Sequence, residues 1–417
     1  MQTKKTHWAS VLTLLMICVS IFFLFLIVAI MGISSVIDLF TGEGDPAAQM
    51  ISAAAFGFEI LLLLACGWFV LQKARGLEQA DTPFFHLFKD WHILPTIGLA
   101  IVGVIAGGLA AYTEIPWLRW AIMPATTIFV IAPPIWLLFG YGSRGLEAGP
   151  RWHVFAVFSI GMTMSPMIMI ALEAISLLGI IIAGVALLAI LEPAIFQEVM
   201  RLVEVVQTET NQDVLLSLLA PYISNPIVIA AGIGYIALIV PLIEELLKPL
   251  AVWIFASKLE SPSQGFVMGL LSGAAFALIE SLNASADSTI SWPVIVSVRA
   301  GTSILHMTAS GLVGWGIASA FTERRIGRLF AAYFSAVMIH GVWNASAAGA
   351  GLSAIGESIG RPEWLFNFAP ALICGLLVLG VGMLAVLLAS NRNLRNSSKP
   401  TIAENTAGKE EEVQYPI

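Results

Sequence analysis

The stretch "VPLIEELLKPLAVWIF", residues 240–255, sets two adjacent glutamates and a lysine, Glu244, Glu245 and Lys248, into a run that is otherwise apolar. The run extends over residues 225–257, more than the roughly 20 residues that carry a helix across about 30 Å of hydrocarbon. An ionisable side chain held at that depth costs several kcal/mol unless it is paired, so it marks either a functional site or a tightly satisfied polar contact. Glu244 and Lys248 are four residues apart and share a helix face. Glu245 points about 100° away, which predicts separate tasks for the two acids.

The rest of the chain carries the same signature. Of 417 residues, 58% are hydrophobic and 11% charged, with a mean hydropathy of +0.89, against roughly 25% charge in soluble domains. Ten apolar segments are candidate spans: residues 8–33, 48–72, 92–112, 119–141, 153–191, 225–257, 263–286, 292–320, 328–350 and 368–390. Helices satisfy their own backbone in lipid, so the expected fold is an all-α, polytopic membrane helix bundle of about ten transmembrane helices. The fifth and sixth segments are long for one crossing, and Pro166 and Pro241 predict a broken helix or a tight hairpin within them. At the start, "MQTKKTHW" precedes about 25 uncharged residues with no small-residue cleavage site, which reads as a retained signal-anchor.

Charge sets the orientation. With single crossings from a cytoplasmic N-terminus, fifteen basic residues fall inside: Lys4, Lys5, Lys73, Arg75, Lys89, Arg144, Arg151, Lys258, Arg324, Arg325, Arg328, Arg392, Arg395, Lys399 and Lys409. Only Arg119, Arg201 and Arg361 fall outside, and this positive-inside bias predicts that both termini are cytoplasmic. The net charge of −7 and the absence of a basic stripe interleaved with aromatics exclude nucleic acid as a partner. Cys18, Cys66 and Cys374 each lie in a span, so they read as packing residues and not as a disulfide framework.

Residues 1–192 form an N-terminal membrane region of about five spans, whose Glu59 and Glu173 read as structural hydrogen-bonders. "GVIAGG" at 103–108 and the series Gly265, Gly269, Gly273 have the spacing for close helix approach. Residues 193–224 form an extracytoplasmic segment in which Ile195, Phe196, Val199, Leu202, Val203 and Val206 recur at helical spacing, predicting an amphipathic helix at the outer membrane surface. Residues 225–350 hold four polar-bearing spans, 351–390 a loop and the last span, and 391–417 a polar tail expected to be disordered.

The intramembrane polar residues cluster in consecutive spans. Glu244, Glu245 and Lys248 are followed by Glu280 in "FALIES", Arg299 and His306 in "VRAGTSILHMTASG", and His340 and Asn344 in "MIHGVWNAS". Counted from the cytoplasmic helix ends, Glu244, His306, His340 and Asn344 lie at depths of roughly 17 to 23 Å, which permits one shared layer. Glu280 falls slightly further out and Arg299 near the outer boundary, anchoring the stripe that presents His306. Phe276 reads as packing. Such a set supports hydrolysis by an activated water, since a desolvated glutamate is a stronger base and a histidine or asparagine can orient water or stabilise an oxyanion.

The ordered motifs EExxK (Glu244, Glu245, Lys248), FxxxE (Phe276, Glu280), an arginine followed by a histidine (Arg299, His306) and HxxxN (His340, Asn344) resemble the PrsW family of intramembrane proteases over residues 222–350. More distantly they resemble the CAAX-protease and bacteriocin-processing family. The resemblance implies peptide-bond hydrolysis in the cell membrane on a membrane-anchored protein substrate, as in anti-sigma-factor or envelope-stress signalling, with the lipid bilayer as the other partner. It further implies that Glu244 and Glu245 activate water, that His306 and His340 complete the polar cluster, that Asn344 assists and that Glu280 adds an acid. There is no HExxH, so metal-free glutamate catalysis without a cofactor is the favoured expectation. The alternative is a divalent metal such as zinc held by Glu245, His306 and His340 from separate helices. A competing class, an ion- or proton-coupled transporter or channel using the same cluster, lacks a matching second half with its own broken helix.

Overall fold

The computed structural model describes residues 7–77, 90–113, 115–209, 211–355 and 363–397. Residues 398–417 of the expected tail, and Lys4, Lys5, Lys89 and Arg361 of the charge tally, lie outside the described residues. The described residues form helices and no strand: α1 (Trp8–Thr41), α2 (Pro46–Ala74), α3 (Ile93–Tyr112), α4 (Pro116–Gly142), α5 (Arg151–Met162), α6 (Met164–Leu191), α7 (Pro193–Thr208), α8 (Gln212–Ile223), α9 (Pro226–Gly234), α10 (Val240–Leu247), α11 (Leu250–Ile254), α12 (Pro262–Ala284), α13 (Trp292–Thr322), α14 (Ile326–Ile355) and α15 (Glu363–Ser397). Ten of the segments they make are long and apolar enough to cross a membrane, one at each expected span. This is a multi-pass membrane protein. The last helix continues to Ser397, so the first residues of the expected tail are helical.

Local chemistry sets the helix starts. Pro46, Pro116, Pro193, Pro226 and Pro262 stand at first positions, where a missing N–H leaves no intrahelical partner unfilled. Three of these helices have side-chain caps: Asp45 accepts from Ala48 N, Asn225 from Ile227 N and Ser261 from Gln264 N.

Both long segments are broken helices and neither is a hairpin. The fifth breaks at Thr163 (φ −122°, ψ −74°), which puts Pro166 in the first turn of α6. In the sixth, Pro241 offers no N–H to the carbonyl one turn back. The backbone widens into a π turn at Tyr235–Ile239, closed by Val240 N–H on the Tyr235 carbonyl.

Helices α12 and α13 form the centre. In their most apolar windows 89% and 78% of residues are buried, against 6% in α1 and none in the fifth segment, so the outer helices present their apolar side chains to lipid. The glycine series has the packing role expected of it: Gly265, Gly269 and Gly273 lie against the backbone of Gly314, Ser310 and His306. Gly103 meets Val130, and Gly107 meets Trp292 and Thr126. All three cysteines are free. Helix α7 is amphipathic as predicted, with no buried residue.

Candidate active site

The sixth segment carries the two glutamates just after its π turn, and α14 braces that irregular stretch along its length. Asn344 Nδ2 donates to the Ile236 carbonyl at 3.1 Å, and Tyr333 Oη donates to the Leu242 carbonyl at 2.8 Å. Between them Gly341 lies where any Cβ would collide with the Ala237 carbonyl oxygen. At the other end Pro249 stops α10, and Ser272 Oγ of α12 donates to the carbonyl of Lys248. The distortion caused by one proline is therefore held by specific partners, as non-helical backbone inside a membrane requires.

This bracing positions a buried polar cluster. Lys248 Nζ, fully buried, lies 2.8 Å from Glu244 Oε2 and 2.8 Å from Glu245 Oε1. The same nitrogen is 2.9 Å from His306 Nδ1 and 3.4 Å from His340 Nδ1. His340 Nδ1 also meets Glu245 Oε1 at 2.8 Å, and its Nε2 is 3.7 Å from Glu244 Oε2. A lone pair on His306 Nδ1 turned to the ammonium leaves that ring's proton on Nε2, which faces Glu280 Oε2 at 2.8 Å. Glu280 Oε1 in turn pairs with Arg299 at 2.7 Å. The chain of contacts runs from the partly open Glu280 and Arg299 inwards to Glu245, which is fully buried.

Of the eight residues expected at the site, seven are joined in one chain of contacts. Arg299, expected near the outer boundary, reaches the cluster through Glu280. Asn344 is the exception, since its side chain holds the π turn that carries the glutamates. The separate directions expected for Glu244 and Glu245 are reconciled by Lys248, which sits i+4 to one and i+3 to the other and pairs with both.

Two residues gain a place that their sequence context did not indicate. Phe276, read as packing, forms a wall of the site: Lys248 Nζ lies 4.6 Å from its ring centroid and its ring meets His306 edge-on at 5.2 Å. It is four residues before Glu280, on the same helix face, which was the available signal. Glu173 of α6 lies within electrostatic reach of Glu244, Lys248 and Glu280, although nothing in its own span points there.

The cluster has the donor set for a metal. Glu244, Glu245, His306 and His340 bring one ligand atom each to within 4.8 Å of one another, and all four are buried. Glu245 Oε2 is buried with no hydrogen-bond partner, and Glu244 Oε2 meets Lys248 as an ion pair without hydrogen-bond alignment. Two carboxylates and two imidazoles suit a zinc-class cation, and Glu280 lies behind His306 at ion-pair distance, 2.8 Å from Nε2, without hydrogen-bond alignment.

A family model described as PrsW family intramembrane metalloprotease matches residues 149–373. The match begins at α5, so it takes in the fifth segment and the amphipathic stretch as well as the four motif-bearing spans. No curated protein and no solved structure matches the chain. The family's description and the four convergent donors turn the expectation from metal-free catalysis towards the metal alternative.

Proposed function

The chain belongs to the PrsW family of intramembrane metalloproteases, and from that premise we propose how this peptidase works and on what. Its substrates are proteins embedded in the bilayer. In our reading these are membrane-anchored proteins of the cell membrane, cut in a signalling step of the anti-sigma-factor or envelope-stress type. The observation that carries the mechanism is the convergence of Glu244, Glu245, His306 and His340 from three spans within 4.8 Å in a buried site.

Glu245, His306 and His340 would hold the metal, with Glu244 the remaining carboxylate of the set. When bound, such an ion acidifies water and polarises a carbonyl. Glu244 keeps 11% of its side chain exposed, whereas Glu245 has none, so Glu244 is the acid a water can reach and is assigned as general base. Glu280 backs the His306 ring at 2.8 Å and pairs with Arg299, which places a negative charge behind that imidazole. Asn344 and Tyr333 keep the glutamate-bearing turn in place. Family membership sets aside the transporter reading of the same residues.

The test is to purify the full chain in detergent, incubate it with a library of single-span membrane proteins, and identify new termini by mass spectrometry. Wild type, Glu244→Gln and Glu245→Gln are compared with and without chelator. Cuts lost in both variants and on chelation, and restored by metal, are expected. Cutting that persists in both variants would remove the assigned roles, and cutting indifferent to chelator would return the mechanism to metal-free glutamate chemistry.

A further inference from the structure

The four residues that could hold a metal are the same four that Lys248 Nζ contacts. The ammonium lies 2.8 Å from Glu244, 2.8 Å from Glu245, 2.9 Å from His306 and 3.4 Å from His340. It is a cation seated at the centre of a cation-binding set. A divalent ion among those donors would lie against the ammonium, and two positive charges a few ångströms apart in a buried site repel strongly. The two cannot share the cluster. We propose that Lys248 is a built-in competitor for the metal: it neutralises the glutamates when no ion is bound and must withdraw for one to enter.

Phe276 helps to hold the lysine where it is: Nζ lies over the ring, 4.6 Å from its centroid, while it contacts the donors, and an aromatic face is a favourable seat for a cation in a dry environment. Loss of that face weakens the lysine's hold on the donors and favours an entering ion. Phe276 thereby acts on metal affinity through Lys248, which makes it a positioning residue; its ring also meets His306 edge-on at 5.2 Å, and the Lys248→Met background separates the two routes. The inference rests on the metal reading above but is separable from it.

The experiment is a double-mutant cycle on metal affinity. The full chain in detergent is stripped of metal and titrated with Co²⁺, read by its visible absorption, and with Zn²⁺ by competition. If the lysine occupies the donors for most of the time, Lys248→Met tightens the apparent Kd by about tenfold or more. Phe276→Leu, which removes part of the lysine's support, tightens it by about threefold in the wild-type background. In the Lys248→Met background Phe276→Leu changes nothing. A merely structural role for Phe276 would weaken binding equally in both backgrounds, and that result would overturn the proposal. So would unchanged or weaker binding in Lys248→Met while wild type binds, an outcome that leaves the metal reading intact. Should Lys248→Met not fold, the Phe276→Leu arm decides alone, and an unchanged or weaker Kd there refutes the inference. No binding of either ion by any variant, wild type included, removes the metal reading and this inference with it.

Discussion

Gly273→Ala should uncouple activity from folding more sharply than any change to a charged residue. Helix α12 meets α13 across Gly265, Gly269 and Gly273, and the last of these faces the residue that carries a site imidazole. A Cβ at position 273 would lie 2.5 Å from the His306 carbonyl oxygen, 2.9 Å from Met307 Cα and 2.9 Å from Ser310 Cβ. Two of the three neighbours are backbone atoms, which cannot rotate aside, so contact near 3.5 Å is restored only by moving α13 away by about 1 Å. His306 moves with it. Its 2.9 Å contact to Lys248 and its 2.8 Å contact to Glu280 both open. Overpacking of this kind costs about 1–3 kcal/mol of stability, while a misplacement of about 1 Å at a reacting constellation costs about 10²-fold in rate. The assay is the rate of the strongest cut found in the substrate screen, alongside a thermal melt of the same preparation in detergent. Gly375→Ala on α15, where nothing lies within 4 Å of the added methyl, serves as the control and should match wild type in both. A Gly273→Ala enzyme that cuts at the wild-type rate would refute the claim that this glycine contact positions His306.

Three further outcomes follow from the same contacts. In metal-free protein Lys248→Ala should lose about 3–5 kcal/mol of stability, because it strands Glu244 and Glu245 without a counter-charge; a melt within 1 °C of wild type would count against the pairing. Asn344→Ala removes the donor to the Ile236 carbonyl and should cost about 1 kcal/mol of stability and about tenfold in rate, with metal affinity unchanged, so a loss of metal binding would instead make Asn344 a ligand. His7, which caps α1 by accepting from Ser10 N, has its pKa held below the ordinary 6.5 by burial and then by Lys258 and Lys73. A lowered folded-state value means that its contribution is present above pH 6.5 and is lost as the pH falls through the folded value. The protection factors of amides at the start of α1, which are exchange rates corrected for the intrinsic effect of pH, should therefore fall on acidification in wild type and stay level in His7→Asn, and an equal slope in both would exclude His7 as the cause.

Much of this molecule was legible in one dimension because lipid imposes its rule residue by residue. A segment that must satisfy its own backbone and expose apolar side chains has to be a long apolar helix, so the ten spans appear in the expected order, although the first runs on to Thr41, the sixth closes at Leu247 and the last continues to Ser397. Two prolines in over-long segments announced the breaks at Thr163 and at the π turn. Glycines four apart announced the α12–α13 contact. The polar residues stand out because each is expensive in an apolar run, and counting along helices brings them to one depth.

What counting could not reach is which side chain meets which, since depth along a helix says nothing of rotation about it or of the neighbour it faces. Asn344 shares a motif and a helix face with His340, yet it serves the backbone of another span. Phe276 walls the site although its motif spacing to Glu280 said nothing of the lysine it meets, and Glu173 lies within electrostatic reach of the site from a position with no local mark. The sequence by itself determined a ten-span helical protein with a charged layer inside it, because hydrophobicity and helix period are local properties. Only the tertiary structure decided that Lys248 stands at the centre of that layer among four potential ligands, because that arrangement depends on the packing of three spans whose residues are up to 96 positions apart, from Glu244 to His340.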